Sequence, residues 1–241
     1  MGFSYRFKPY IAIIGDIIES RKLVDRYEWQ KKLSAVLETV NTRCASDISS
    51  RFMITLGDEF QGLLHDGSHV MEIIEFIQIE MYPMQIRFGI GIGKIETEIN
   101  HLLPFGADGS AYHNARKMID ELKKNEKKKK ASDANIMISS DGDYSETEIL
   151  LNTILSLCAA IRKRWTARQR EIAFDCLING ESQRKAAQRL HISQPAVQRH
   201  LASADYYTYK KSMDAVAQSL ANIKEDSEVN ADLNPEVYPN V

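Results

Sequence analysis

The sequence predicts an α+β protein: a ferredoxin-like domain of βαββαβ order, followed by an all-α helix-turn-helix domain. Three observations carry that expectation. Through about residue 140, short β-rich runs alternate with segments of helical period, as in a sheet covered by helices. Asn135–Ser139 is the last strand-like run. Between Thr166 and Ala204 three short helices follow one another, each preceded by a residue that caps helices well.

Taken in order, Tyr10–Ile18 (YIAIIGDII) is apolar and rich in β-branched residues, which predicts a buried strand. Tyr27–Val40 puts Trp29, Leu33, Val36, Leu37 and Val40 on one helical face. The runs Arg51–Leu56 and Phe60–His65 flank Gly57-Asp58-Glu59, which predicts a hairpin whose turn carries two carboxylates. Val70–Met81 is helical, and Pro83 stops it. Met84–Ile92 alternates bulky apolar residues with glycines, the pattern of a strand approached closely by another backbone or a ligand. Ala107–Lys124 is an amphipathic helix. In such a sheet the hairpin is expected in the middle, beside the first strand, so that Asp16 comes close to Asp58.

Lys123–Lys130 (KKNEKKKK) reads as a solvated loop rather than a nucleic-acid patch. Ser139–Ser145 marks a boundary. Glu146–Arg164 is a connecting helix whose apolar face (Ile149, Leu150, Ile154, Leu157, Ile161) is expected to return to the first domain or to form a dimer seam. The amphipathic stretch Tyr206–Ala221 is a second candidate seam. Past Ile223 the composition turns acidic, with Pro and Asn, and predicts a disordered tail. The expected organisation is a sheet domain over 1–142, a linker helix over 143–165, a helix-turn-helix domain with a C-terminal helix over 166–223, and a tail over 224–241.

The formal net charge of −2 argues against a protein coated with nucleic acid, but charge is segregated. Nine Lys and Arg against three acids between Arg162 and His200 leave +6 there, so the rest of the chain carries −8. The three cysteines (Cys44, Cys158, Cys176) are odd in number and set among apolar neighbours, the usage of a reducing cytosol. No apolar run is long enough to span a bilayer, and no signal peptide is visible. A cytoplasmic protein is expected.

Thr166 caps the first of the three short helices, and Asn179-Gly180 ends it with residues that tolerate the left-handed conformation. Ser182 caps the second, Gln183–Leu190, in which Ala187 allows a close crossing. Ser193 caps the third, Gln194–Ser203, with Pro195 in its first turn. Arg184, Lys185 and Arg189 are placed for phosphates. Gln194, Gln198 and Arg199 lie outward on the third helix, where Gln suits adenine and Arg suits guanine. The segment TARQREIAFDCLINGESQRKAAQRLHISQPAVQRHL resembles the C-terminal modules of response regulators and sigma factors, which implies double-stranded DNA as a partner.

The N-terminal motifs are IIGDIIESR, ITLGDEFQGLL and IRFGIGIG. In this order they resemble class III nucleotide cyclases and GGDEF domains, with Arg87, Gly89, Ile90 and Gly93 matching a strand of those families. That resemblance implies a nucleotide-cyclase-like domain in which Asp16 and Asp58 or Glu59 hold Mg2+ or Mn2+. A nucleoside triphosphate or other nucleotide would then lie near Ser20, Arg21 and Arg87. On their own terms, two carboxylates at adjacent strand ends suit hard divalent ions that bring phosphates with them. The bland alternative is that Asp16 and Asp58 cap turns and pair with Arg21 or Arg87. The following helix, GADGSAYHNARKM, offers Arg116 as the candidate catalytic group, but Tyr112 stands where cyclases have Asn, and Asn114 is out of register. No phosphate-binding Gly-x-x-x-x-Gly-Lys-Ser/Thr motif and no Cys-His set with zinc spacing occurs.

Across nearly the full chain these motifs, with DGSAYHNAR and the C-terminal helices, resemble the SatD family. The resulting expectation is a DNA-binding transcriptional regulator that binds or senses a nucleotide and a divalent metal, acting as a homodimer without membrane contact. The alternative is an active nucleotidyl cyclase or nucleotide-polymerising enzyme with an attached DNA-binding module.

Overall fold

In the computed structural model, which describes residues 3–20, 25–104, 106–127, 134–180 and 182–225, the apolar run Tyr10–Ile17 is the central strand of five. It is β2, following a two-residue strand β1 (Ser4–Tyr5). Helix α1 (Arg26–Arg43) leads to the hairpin β3 (Ile48–Leu56) and β4 (Glu59–Leu64). Helix α2 (Val70–Glu80), strand β5 (Ile86–Gly93), helix α3 (Ser110–Lys127) and strand β6 (Ile136–Ser140) complete the mixed α+β body. The sheet order is β3-β4-β2-β5-β6, antiparallel except for the β5–β6 pair. The hairpin therefore lies at an edge and not in the middle: β4 pairs with β2, and β3 is the outer strand. The turn is Gly57-Asp58 alone, with Gly57 at φ +66°, so Glu59 belongs to the strand.

The period-2 alternation sorts each strand onto two faces. Ile11, Ile13 and Ile17 join Phe60, Phe88, Ile90 and Ile92 in the core under α1 and α2. Ala12, Ile14 and Leu63 face the other way, against Ala111, Tyr112, Ala115 and Ile119 of α3. That second face is unusually thin because Gly89, Gly91 and Gly93 all lie on it. A Cβ built on Gly91 would stand 2.0 Å from the Ala111 carbonyl oxygen, and one on Gly89 would stand 2.2 Å from that of Ala115. The glycines let the backbone of α3 rest directly on β5, as the alternating pattern predicts.

Both sheet edges are covered. Along β6, Asn152 of α4 (Ser145–Lys163) bonds the Ile138 amide and carbonyl, each at 2.8 Å, and so imitates a sixth strand. Along β3, the Arg51 amide donates to the His101 carbonyl at 3.1 Å and the Ser50 hydroxyl to the Asn100 carbonyl at 2.7 Å. Four further helices follow: α5 (Ala167–Asn179), α6 (Gln183–Arg189), α7 (Gln194–Ser203) and α8 (Tyr206–Ala221). Thr166 and Gln169 form a reciprocal capping box on α5, Gly180 ends it at φ +57°, and the Ser193 hydroxyl caps α7. Ser182 occupies the cap position of α6 without a side-chain bond.

The apolar core runs without a break from the sheet into α5–α8. Its keystone is Trp165, 4% exposed, whose indole donates to the Ala204 carbonyl at 2.7 Å and meets the Tyr209 ring edge-on at 5.1 Å. Tyr209 in turn donates to Glu75 of α2 at 2.9 Å. Three sequence expectations change here. The apolar face of α8 (Tyr206, Tyr209, Met213, Val216, Leu220) is consumed within the chain, so it is no free seam. In α4 the inward residues are Leu151, Leu155 and Cys158, which leaves Ile149, Leu150 and Leu157 more than 60% exposed. The segment read as a tail begins with a strand: β7 (Lys224–Glu225) pairs in parallel with β1. Residues 226–241 lie outside the described part.

Candidate functional site

Three residues from three strands stand in one row across the sheet. Asp16 of β2 is paired in register with Glu59 of β4 on one side and Arg87 of β5 on the other. Residues opposite one another on antiparallel strands project to the same face. That face is the one covered by α3. Because the glycines hold α3 close, its Arg116 and Lys123, seven residues apart and hence on one side of the helix, reach this row. Arg116 grips both oxygens of Glu59, one arm at 2.5 Å, and Lys123 Nζ stands 2.9 Å from Asp16 Oδ1. Arg87 donates to the other oxygen of Asp16 and also to Glu126 of α3. The Glu59 hydrogen bond raises the Arg116 pKa.

The row is largely sheltered, with Asp16 5% and Glu59 9% exposed. Burying a carboxylate is costly unless cations and hydrogen bonds compensate, and here each acid has at least one cationic partner. Arg87, Arg116 and Lys123 against Asp16, Glu59 and Glu126 give a balanced lattice. Asp58, one step beyond on the turn, takes a different partner: its carboxylate accepts from the Ser20 hydroxyl, while its carbonyl accepts from the Ile17 amide at 3.2 Å. The first strand and the hairpin turn do meet, yet the Asp16 and Asp58 side chains serve different neighbours.

The donor set has the right chemistry for a divalent cation, since Asp16, Asp58 and Glu59 offer hard carboxylate oxygens. Asp16 and Glu59 are, however, each covered by a cation, and no cluster of three or more metal-ligating side chains occurs among the described residues. An ion would enter by exchange with Lys123 and Arg116 rather than by dropping into an open cage.

Of the other residues expected at the site, Arg21 lies outside the described part. Tyr112 is buried, and its hydroxyl has no partner among the described residues and an upward-shifted pKa caused by desolvation. Asn114 turns to the far end of β5, donating to the Ile92 carbonyl at 3.1 Å and to Asp141 at 3.0 Å. Neither presents an amide to the charged row. Lys123 was missed by the sequence reading because it begins the lysine-rich run. Its spacing from Arg116 is the signal that would have found it.

In α5–α7 the inward residues Ile172, Ala173, Cys176, Ala187, Val197 and Leu201 are buried. The α6–α7 connection contains His191 at φ +53°. At least five of the nine basic residues in this region are already engaged. Arg162 holds Gln78, Arg164 reaches Asp205, Arg168 pairs with Glu171, Arg170 bonds the Trp165 carbonyl, and Arg189 holds Asp175 with two contacts near 2.9 Å. Arg189 thus ties α6 to α5. Arg184, Lys185, Gln198 and Arg199 are exposed. Gln194 is exposed too and donates to Gln183 at 2.8 Å, which donates to Tyr207.

Comparison with known proteins gives one family. The model described as "SatD family" matches residues 10–220. No curated protein sequence matches the chain. Among solved structures, the guanylyl cyclase domain of the RhoGC fusion protein from the aquatic fungus Blastocladiella emersonii is similar at 16% identity, over 47% of this chain and 74% of that one, with a TM-score of 0.32. The guanylate cyclase domain of RhGC from Catenaria anguillulae, solved with GTP, is similar at 14% identity, over 44% and 81%, with a TM-score of 0.28. No helix among the described residues is long and apolar enough to cross a membrane.

Proposed function

The chain belongs to the SatD family, and on that premise we propose that it is a DNA-binding regulator whose sheet domain binds a nucleoside triphosphate with Mg2+ or Mn2+. The observation that carries the nucleotide half is the row Glu59–Asp16–Arg87 with Arg116 and Lys123 above it. Two acids and three cations on one rigid face are a set that can exchange partners. Asp16, with Asp58 or Glu59, supplies the hard oxygens for the metal, and the cations that now cover those acids take phosphate oxygens, which guanidinium binds in a bidentate way. The metal, when bound, neutralises the phosphate tail. Ser20, and Arg21 next to it in the sequence, are the proposed partners at the end of that tail.

Sensing is favoured over turnover. The position where cyclases carry Asn holds Tyr112, whose hydroxyl is sealed between α3 and the sheet, and Asn114 is committed to Ile92 and Asp141.

For the DNA half, α5–α7 are proposed as a helix-turn-helix, with Gln194, Gln198 and Arg199 at base edges and Arg184, Lys185 and Arg189 toward phosphates. Arg189 would act there while held by Asp175, or by leaving it. Support comes from the caps, the buried Ala186 and Ala187 at the crossing of α6, and the exposed outer face of α7. A homodimer through α4 is proposed from Ile149, Leu150 and Leu157, a single exposed stripe of large apolar residues.

The test is a melting series with each nucleoside triphosphate and Mg2+ or Mn2+. At a hundredfold excess over Kd, binding adds about 2.7 kcal/mol, roughly 5–10 °C for a domain of this size. The expected result is such a shift for wild type, lost in Asp16→Asn, without product. No shift with any triphosphate refutes the reading, and turnover lost in Asp16→Asn replaces it with the enzyme alternative.

A further inference from the structure

A second cleft, of about 420 Å3, opens on the other side of β5 from the charged row. Ile86 lines it, while its neighbour Arg87 points to the opposite face. Its floor comes from the end of α2 and the start of β5, and its wall from the end of α4 and from α5. It is therefore built across the joint between the sheet and the C-terminal helices.

The lining is chemically one-sided. Arg162, Lys163 and Arg170 contribute three cations, and no Asp or Glu among the described residues lines the cleft. Gln78 is 6% exposed; its amide oxygen accepts from Arg162, and its Nε2 is buried without a partner among the described residues. Arg170 donates to the Trp165 carbonyl at 3.0 Å, but its Nε is likewise buried and unpartnered. Buried donors left unsatisfied are rare in native proteins and call for an acceptor. The aromatic side is supplied by Tyr82, 48% exposed, and Phe174, with ring centroids 5.8 Å apart and nearly perpendicular. The Arg170 guanidinium lies 5.1 Å from the centre of the Tyr82 ring.

We propose that this cleft is a binding site for a nucleoside monophosphate, its phosphate held by Arg162, Lys163, Arg170 and the Gln78 amide and its base against Tyr82 and Phe174. The volume lies within the range of small-ligand sites, and the lining is more polar than apolar, which suits an anionic ligand. Guanidinium is the side-chain group best matched to phosphate, and base–aromatic stacking tolerates any base. The site is separate from the charged row and stands whether or not that row binds a triphosphate. A ligand here would touch α2 and β5 on one side and α4 and α5 on the other, and so bear on the elements that carry α6 and α7.

The test is equilibrium dialysis of the full chain against radiolabelled AMP and GMP, with inorganic phosphate as competitor. The expected result is one saturable site per chain for at least one of the two. Arg170→Gln and Tyr82→Ala each weaken it at least tenfold with the circular dichroism spectrum unchanged, whereas Arg51→Gln, which removes only an exposed pair with Glu38 on the outer strand β3, leaves it within about twofold. Tyr82 is half-exposed, so its truncation keeps the test alive should Arg170→Gln fail to fold. Absence of saturable binding by either nucleotide overturns the proposal. So does wild-type affinity in Tyr82→Ala, or competition by inorganic phosphate as tight as the nucleotide itself.

Discussion

Replacing Gly91 by Ala perturbs the joint on which the charged row depends. The new Cβ would stand 2.0 Å from the Ala111 carbonyl oxygen and 2.3 Å from the Ala115 amide nitrogen, where ordinary contact begins at 3.4 Å. Both obstacles are helix backbone, so no rotamer change relieves them. Helix α3 must rise by about 1.4 Å, the difference between 3.4 and 2.0 Å. Overpacking of this kind costs about 1–3 kcal/mol, and the rigidity of both partners puts Gly91→Ala at the upper end. For a chain of this length that is roughly 5–10 °C of melting temperature. The same rise lifts Arg116 and Lys123 from Glu59 and Asp16, so triphosphate affinity falls together with stability. Calorimetric melting with and without triphosphate and Mn2+ reads both. A variant that melts within 2 °C of wild type (about half a kcal/mol) and keeps the full nucleotide shift would refute the packing argument.

Three further outcomes follow from other parts of the molecule. His69 Nδ1 donates to the Asp47 carboxylate at 2.5 Å, and that hydrogen bond raises its pKa above 6.5. The raised folded value means its stabilising contribution is complete below about pH 6.5 and is lost as pH rises through the folded pKa. His69→Asn should remove that part of the pH dependence of urea unfolding, and an unchanged profile would contradict it. Leu157→Glu, on the exposed stripe of α4, should shift the sedimentation equilibrium toward monomer without lowering the melting temperature; a wild-type mass distribution would count against α4 as the seam. Arg184→Ala and Arg199→Ala should each weaken DNA binding at low salt, and Arg184→Ala should lower the salt slope by about one. Unchanged affinity in both variants would remove the DNA half of the proposal.

Much of the sheet was legible because its signals are local. The alternation of IRFGIGIG encodes both the strand and the close helix above it, and the Gly-Asp pair encodes the hairpin turn. The pairing of Asp16 with Arg87 was among the alternatives the residues suggested, and the register makes it unavoidable. What stayed hidden depends on long-range placement. Glu59 reads as a turn residue until the two-residue turn puts it on the strand, opposite Asp16. Lys123 reads as the start of a solvated run until α3 extends to Lys127 and carries it over Asp16. The connecting helix illustrates a general ambiguity. Ile149, Leu150 and Leu157 share a helical face by spacing, but the core takes Leu151, Leu155 and Cys158 instead, and nothing in the helix's own sequence decides between the two. Strands as short as β1 and β7 carry too few residues to show any period. Nor does the basic excess over 162–200 show in sequence how much of it is spent inside the chain, where at least five of the nine cations meet Gln78, Asp205, Glu171, the Trp165 carbonyl and Asp175.

The central claim is that the acids of the charged row exchange their protein cations for a metal while those cations turn to phosphate. Crystals of the full chain soaked with a nucleoside triphosphate and Mn2+, with the anomalous signal of manganese recorded, test it directly. The account predicts manganese on Asp16 together with Asp58 or Glu59, and Arg116 or Lys123 moved from its carboxylate onto a phosphate oxygen. Saturating triphosphate with the Arg116–Glu59 and Lys123–Asp16 pairs intact, and no manganese beside Asp16, would contradict it.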